Sequence, residues 1–86
     1  MYTGHVDQEH LILPAFQQSL EYTKDGAVTY WRDDEADKSG YIKPLYKATN
    51  TPGTCRHFEL AYFYSDKSPS YHYGIGCRKD GIWKVR

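Results

Sequence analysis

The chain is 86 residues long and formally neutral, with 11 Lys plus Arg against 11 Asp plus Glu, which fits one small domain. Neutrality removes the excess positive charge that a phosphate backbone attracts, so nucleic acid is not expected as a partner. No apolar run approaches the roughly 20 residues needed to span a bilayer, so any membrane association is expected only through an anchor outside this chain.

Ile12, Phe16 and Leu20 fall at i, i+4 and i+8 and draw one apolar stripe down a helix. Proline is compatible with a first turn but breaks an interior hydrogen bond. A helix is therefore predicted over Pro14 to Tyr22, with residues 1–13 poorly structured or kinked away from it and residues 14–86 forming a single domain. Thr23-Lys24-Asp25-Gly26 supplies turn residues. The β-branched and aromatic run Ala27 to Arg32 then reads as a strand, and Asp33 to Gly40 as a polar loop.

Tyr41 to Tyr46 is a second strand. Its Pro44 cannot donate to a ladder, which predicts a position at the sheet edge. After the turn Thr49 to Gly53, two longer strands, Cys55 to Tyr64 and Tyr71 to Lys79, flank the loop Ser65 to Ser70. Asp80-Gly81 joins the last of these to Ile82 to Val85 as a two-residue hairpin. The predicted class is α+β: an N-terminal helix packed on an antiparallel sheet of about four to five strands, stapled by one disulfide.

That disulfide is read from the only two cysteines, Cys55 and Cys77. In so short a chain a single pair on neighbouring strands points to an oxidising compartment, the competing reading being two reduced, packed thiols in a cytosolic protein. The enclosed loop of about 23 residues predicts roughly 3 kcal/mol of stabilisation through the unfolded state. Met1-Tyr2-Thr3-Gly4-His5 is neither a signal peptide nor a transit sequence, so an exported protein would carry its export segment elsewhere.

The pairing can be taken further by parity, because side chains alternate between faces. Setting Cys55 opposite Cys77 gathers Phe58, Leu60, Tyr62, Gly74 and Gly76 on one face. A two-residue Asp80-Gly81 turn adds Trp83 and Val85 to it, whereas a three-residue turn would send Trp83 to the other side. The glycines leave room for the Trp83 ring or for Phe16 and Leu20. The opposite face carries Cys55, His57, Glu59, Tyr71, Tyr73, Cys77 and Lys84 and is the more polar.

Chemical constellations are weak. The four histidines have no zinc-finger spacing, and His57 and His72 fall on opposite faces, so no metal is expected. Asp33, Asp34, Glu35 and Asp37 lack the alternating ligands and central glycine of a calcium loop. Glu59 and Asp66 form a nominal carboxylate pair without a readable separation. Ser65, Ser68 and Ser70 lie near His72 without a nucleophile elbow or oxyanion loop. No enzymatic activity and no cofactor are expected. Arg56 and Arg78, each following a cysteine, are expected at the sheet edge, where a guanidinium can lie over Trp83 or pair with a carboxylate.

One ordered set of residues is more specific than any of these. Leu20-Glu21, Val28-Thr29-Tyr30-Trp31-Arg32, Ser39-Gly40 leading to Pro44, Thr54-Cys55-Arg56-His57-Phe58, and Tyr73-Gly74-Ile75-Gly76-Cys77-Arg78-Lys79-Asp80-Gly81-Ile82-Trp83-Lys84-Val85 together resemble the C-terminal soluble domain of the 17 kDa surface antigen family. The resemblance spans about residues 20–86. It implies a bacterial outer-membrane lipoprotein, located in the outer membrane or periplasm, with a signal peptide and lipidated cysteine upstream. It implies no catalytic residues.

Three functions follow as expectations. The first is a non-catalytic envelope domain with a structural role or one in binding an envelope protein or glycan. Its candidate interaction residues are Tyr71, Tyr73, Arg56 and Arg78, and the strand near Pro44 is a further contact region. The second is a small periplasmic or secreted inhibitor of an enzyme such as lysozyme, presenting the Ser65 to Ser70 loop. The third is a small hydrolase or metal-binding domain, which the constellations above disfavour.

Overall fold

The computed structural model describes residues 3–86, with side chains from residue 12 onward. Helix α1 (Thr3–Tyr22) is followed by β1 (Thr29–Asp33), β2 (Lys38–Lys47), β3 (Thr54–Tyr64), β4 (Ser70–Lys79) and β5 (Ile82–Val85). The strands form one sheet in chain order, each antiparallel to the next. This is the α+β arrangement expected, with α1 covering one face of the sheet.

The helix takes in Pro14 and begins at Thr3 rather than at the proline. Pro14 forfeits one backbone hydrogen bond, but packing holds on both sides of it. Ile12 precedes it and Phe16 and Leu20 follow it, all against the same core. Within the segment 1–13, residues 1–2 and the side chains of residues 3–11 lie outside the described residues.

Phe16, Leu20, Trp31, Ile42, Phe58 and Trp83 form the buried cluster, with Leu60 and Tyr62 against it. The glycines of β4 let the helix approach. A Cβ at Gly76 would stand 2.6 Å from Leu20 Cδ1, and one at Gly74 would stand 3.0 Å from the Phe58 ring. Phe16 and Phe58 meet edge to face with centroids 5.1 Å apart.

Cys55 pairs with Cys77 in the β3–β4 register, and their sulfurs are joined. Asp80 and Gly81 have φ of 54° and 81°, the positive pair of a type I′ two-residue hairpin. Trp83 therefore pairs with Arg78 on the helix side and is 4% exposed. The helix grips it there. Gln17 Nε2 donates to the Trp83 carbonyl, the Trp83 amide donates to Gln17 Oε1 at 2.7 Å, and the indole Nε1 donates to Glu21 Oε1 at 2.9 Å.

The expected edge position of the Pro44 strand is corrected by the sheet order, in which β2 is interior, between β1 and β3. The physical reason lies in which side the proline nitrogen faces. The Pro44 carbonyl accepts from the Gly26 amide at 2.7 Å, and in a strand the amide and carbonyl of one residue point the same way. The missing N–H thus faces the β1 side. There the last paired residue is Ile42, opposite Thr29. Beyond the end of β1 no ladder bond is lost.

Candidate functional site

Alternation along β1 to β4 sends one set of side chains into the helix-covered core and the other to an uncovered outer face. Two cross-strand rows organise that outer face. Tyr30, Tyr41, Ala61 and Tyr71 stand opposite one another across four strands, and Lys43, Glu59 and Tyr73 across three. Ala61 is fully buried because its small side chain lets larger neighbours close over it. The Tyr41 ring meets Tyr30 at 6.3 Å and Phe63 at 5.8 Å, and Phe63 meets Tyr71 at 6.5 Å. The result is an aromatic band across the sheet.

Glu59 sits beneath this band and is buried, at 8% exposure. A buried carboxylate is costly unless its oxygens are matched. Both are: Oε1 accepts from Tyr41 Oη at 2.8 Å and pairs with Lys43 Nζ at 3.1 Å, while Oε2 accepts from Tyr73 Oη at 2.7 Å. Donation from Tyr73, then from Tyr41 and Lys43, outweighs burial and holds the Glu59 carboxyl below its ordinary range. Burial first, and the bond to ionised Glu59 second, push the Tyr41 hydroxyl up to about 12. The Tyr73 hydroxyl is raised chiefly by its bond to Glu59.

These shifts carry a pH dependence of defined sign. Tyr41 holds its proton more tightly when folded, so its contribution is complete below the unfolded value near 10 and is lost as pH rises from 10 towards 12. Glu59 acts oppositely, its contribution being lost as pH falls through its lowered folded value. Tyr41→Phe is expected to flatten the decline of melting temperature above pH 10, as measured by thermal unfolding across an alkaline series. An unchanged alkaline decline would contradict this assignment.

Two hydroxyls and an ammonium are committed to the Glu59 carboxylate. Tyr30, Tyr71 and Tyr73 remain 72%, 49% and 68% exposed, offering ring surface and hydroxyl groups to a partner. Among the described residues no group of three or more His, Cys, Asp or Glu side chains is placed to hold a metal. Ser70 Oγ and His72 Nε2 lie 3.3 Å apart at the surface, and Lys67 of the Ser65 to Ser70 loop lies over the Tyr64 ring at 4.4 Å.

The four candidate interaction residues do not share a face. Tyr71 and Tyr73 lie on the outer face, whereas Arg56 and Arg78 lie on the helix side and are engaged there. Arg56 donates to the Leu20 carbonyl at 2.7 Å and to Asp25 Oδ1 at 2.5 Å. Arg78 Nε donates to Glu21 Oε1 at 2.8 Å. Donation from Trp83, then Arg78, holds Glu21 below the usual carboxylate range. Arg56 supplies the cation that the last turn of α1 otherwise lacks. Arg56→Ala is expected to cost about 1 to 3 kcal/mol in a urea melt, and no change in the midpoint would contradict its role as the tie between α1 and β3.

Tyr41, Lys43 and Tyr30 were not among the sequence candidates, although Glu59 had been placed on the same face as Tyr71 and Tyr73. The sequence signal that would have found them is the odd-even alternation of the second strand, once paired with the third.

Over 71 residues, 80% of this chain, the sequence is 32% identical to the 17 kDa surface antigen of Rickettsia felis, and the match covers 44% of that protein. The chain thus corresponds to less than half of that relative. No family model and no solved structure matches it.

Proposed function

The chain is a homologue of the 17 kDa surface antigen, and on that premise we propose that it is a non-catalytic cell-envelope domain, held at the outer membrane or in the periplasm, that binds another envelope component through the outer face of its sheet. The observation that carries this reading is Glu59. A buried carboxylate fixes Tyr41 and Tyr73 in place by hydrogen bonds, so the rings beside it are preorganised, and preorganised amphipathic rings lose little entropy on binding. An envelope position agrees with the disulfide, which persists in oxidising compartments.

Pull-down from envelope extracts tests the face directly. The disulfide-intact domain is expected to recover a discrete component that a Tyr71→Ala/Tyr73→Ala variant of unchanged fold does not. Unchanged recovery of every component would remove this face from consideration.

A further inference from the structure

Between the C-terminal half of α1 and the β4–β5 hairpin lies a groove of about 440 Å³, on the helix side of the sheet and away from the tyrosine band. Its walls are fixed before any ligand arrives. The Gln17 amide donates to the Trp83 carbonyl and accepts from the Trp83 amide. Glu21 Oε1 accepts from both the Trp83 indole and Arg78 Nε. Groups held in this way lose little freedom when a ligand settles between them.

The hydrogen-bonding capacity left over defines what fits. Both bonds to the Glu21 carboxylate fall on Oε1, so Oε2 has no partner among the described residues. Arg78 uses only Nε, which leaves Nη1 and Nη2 as donors. A Cβ at Gly81, on the groove wall, would stand 4.0 Å from Arg78 Nη2. An acceptor and a donor fork thus stand side by side. The exposed Gln18 amide and the Tyr22 ring, 82% exposed, line the same groove.

Three ligand chemistries make different demands on such a site. An anion would meet the carboxylate of Glu21, held ionised by Trp83 and Arg78, so the guanidinium charge is already offset. A polypeptide needs backbone partners, but the Trp83 amide and carbonyl are both taken by Gln17. A neutral sugar meets neither obstacle. Each of its hydroxyls can donate and accept, and the C–H face of a pyranose packs on an aromatic ring. The volume falls within the range of ligand pockets of about 300 to 1,000 Å³.

The geometry points to this groove as a binding site for a neutral saccharide, adjacent hydroxyls of one pyranose bridging Glu21 Oε2 and the Arg78 fork while its C–H face lies on Tyr22. The site goes beyond the outer-face reading, since it occupies the opposite side of the sheet and uses none of that face's residues.

The Trp83 indole N–H, bonded to the same carboxylate, is a built-in reporter. The probes are glucose, galactose, mannose and N-acetylglucosamine with their short oligomers, titrated into the disulfide-intact, isotopically labelled protein. At least one should shift the Trp83 indole resonance at about millimolar concentration and leave that of Trp31 in place. A galacturonate oligomer and a capped tripeptide should not. Tyr22→Ala and Gln18→Ala, at exposed positions of α1, should each weaken binding about three- to tenfold. Arg78→Lys keeps the charge without the fork and should weaken it about tenfold. Tyr71→Ala/Tyr73→Ala should change nothing.

A Trp83 resonance that no neutral sugar moves would overturn the site. So would a response confined to the acidic saccharide or the peptide, or an affinity that survives both Tyr22→Ala and Gln18→Ala. Loss in the Tyr71/Tyr73 variant alone would assign the sugar to the outer face instead of the groove. Should Arg78→Lys fail to fold, the Tyr22 and Gln18 variants decide.

Discussion

Replacing both cysteines, as Cys55→Ala/Cys77→Ala, is expected to lower the free energy of unfolding by about 2 to 5 kcal/mol. The crosslink joins residues 22 apart in sequence, and closing a loop of that length removes conformational entropy mainly from the unfolded chain. A domain of 86 residues commands only about 4 to 13 kcal/mol in total, so the loss is a large share of its margin. Because the effect acts on the unfolded state, the native register should survive in whatever fraction remains folded. Urea melts with and without reductant measure it. Coincident melts, or a reduced protein with an altered β3–β4 pairing, would contradict the expectation.

Leu20→Ala should be comparably damaging, at about 2 to 5 kcal/mol. Leu20 is 1% exposed and reaches from α1 onto β4 at Gly76. The lost methyl groups leave a cavity whose floor is backbone, which cannot collapse to fill it. The pairing gives a second, sharper expectation. Gly76→Ala alone places a Cβ 2.6 Å from Leu20 Cδ1 and should cost about 1 to 3 kcal/mol by overpacking. In the Leu20→Ala background that clash is gone, so the double variant should be more stable than the sum of the single effects predicts. Strict additivity in denaturant melts would mean that helix and glycine do not meet.

The legible part of the fold was the part that something pinned. Two cysteines and a two-residue turn fixed the relative register of β3, β4 and β5, and parity then sorted Phe58, Gly74, Gly76 and Trp83 from Glu59, Tyr71 and Tyr73. The apolar stripe of α1 was equally plain. Pro44 misleads when proline is taken as a property of the whole strand, because only the side that its nitrogen faces matters. The partners of Glu59 stayed hidden for a related reason. Tyr41 and Lys43 lie on β2, whose register against β3 shifts between Pro44 and Tyr46 and is marked by no covalent link or tight turn. Arg56 and Arg78 were different, since the parity rule already put them on the Phe58 side. The register itself separates them from Tyr71 and Tyr73.

The disulfide links these threads, because it sets the faces of β4 and also supports the proposed envelope role. Thiols trapped at the moment of lysis in the native cells, followed by fractionation and mass analysis of the protein, interrogate both at once. The protein should be recovered with the envelope and with Cys55 and Cys77 unlabelled by the trapping reagent. Recovery in the reducing cytosol with both cysteines labelled would contradict the location, the crosslink and the proposed envelope role together.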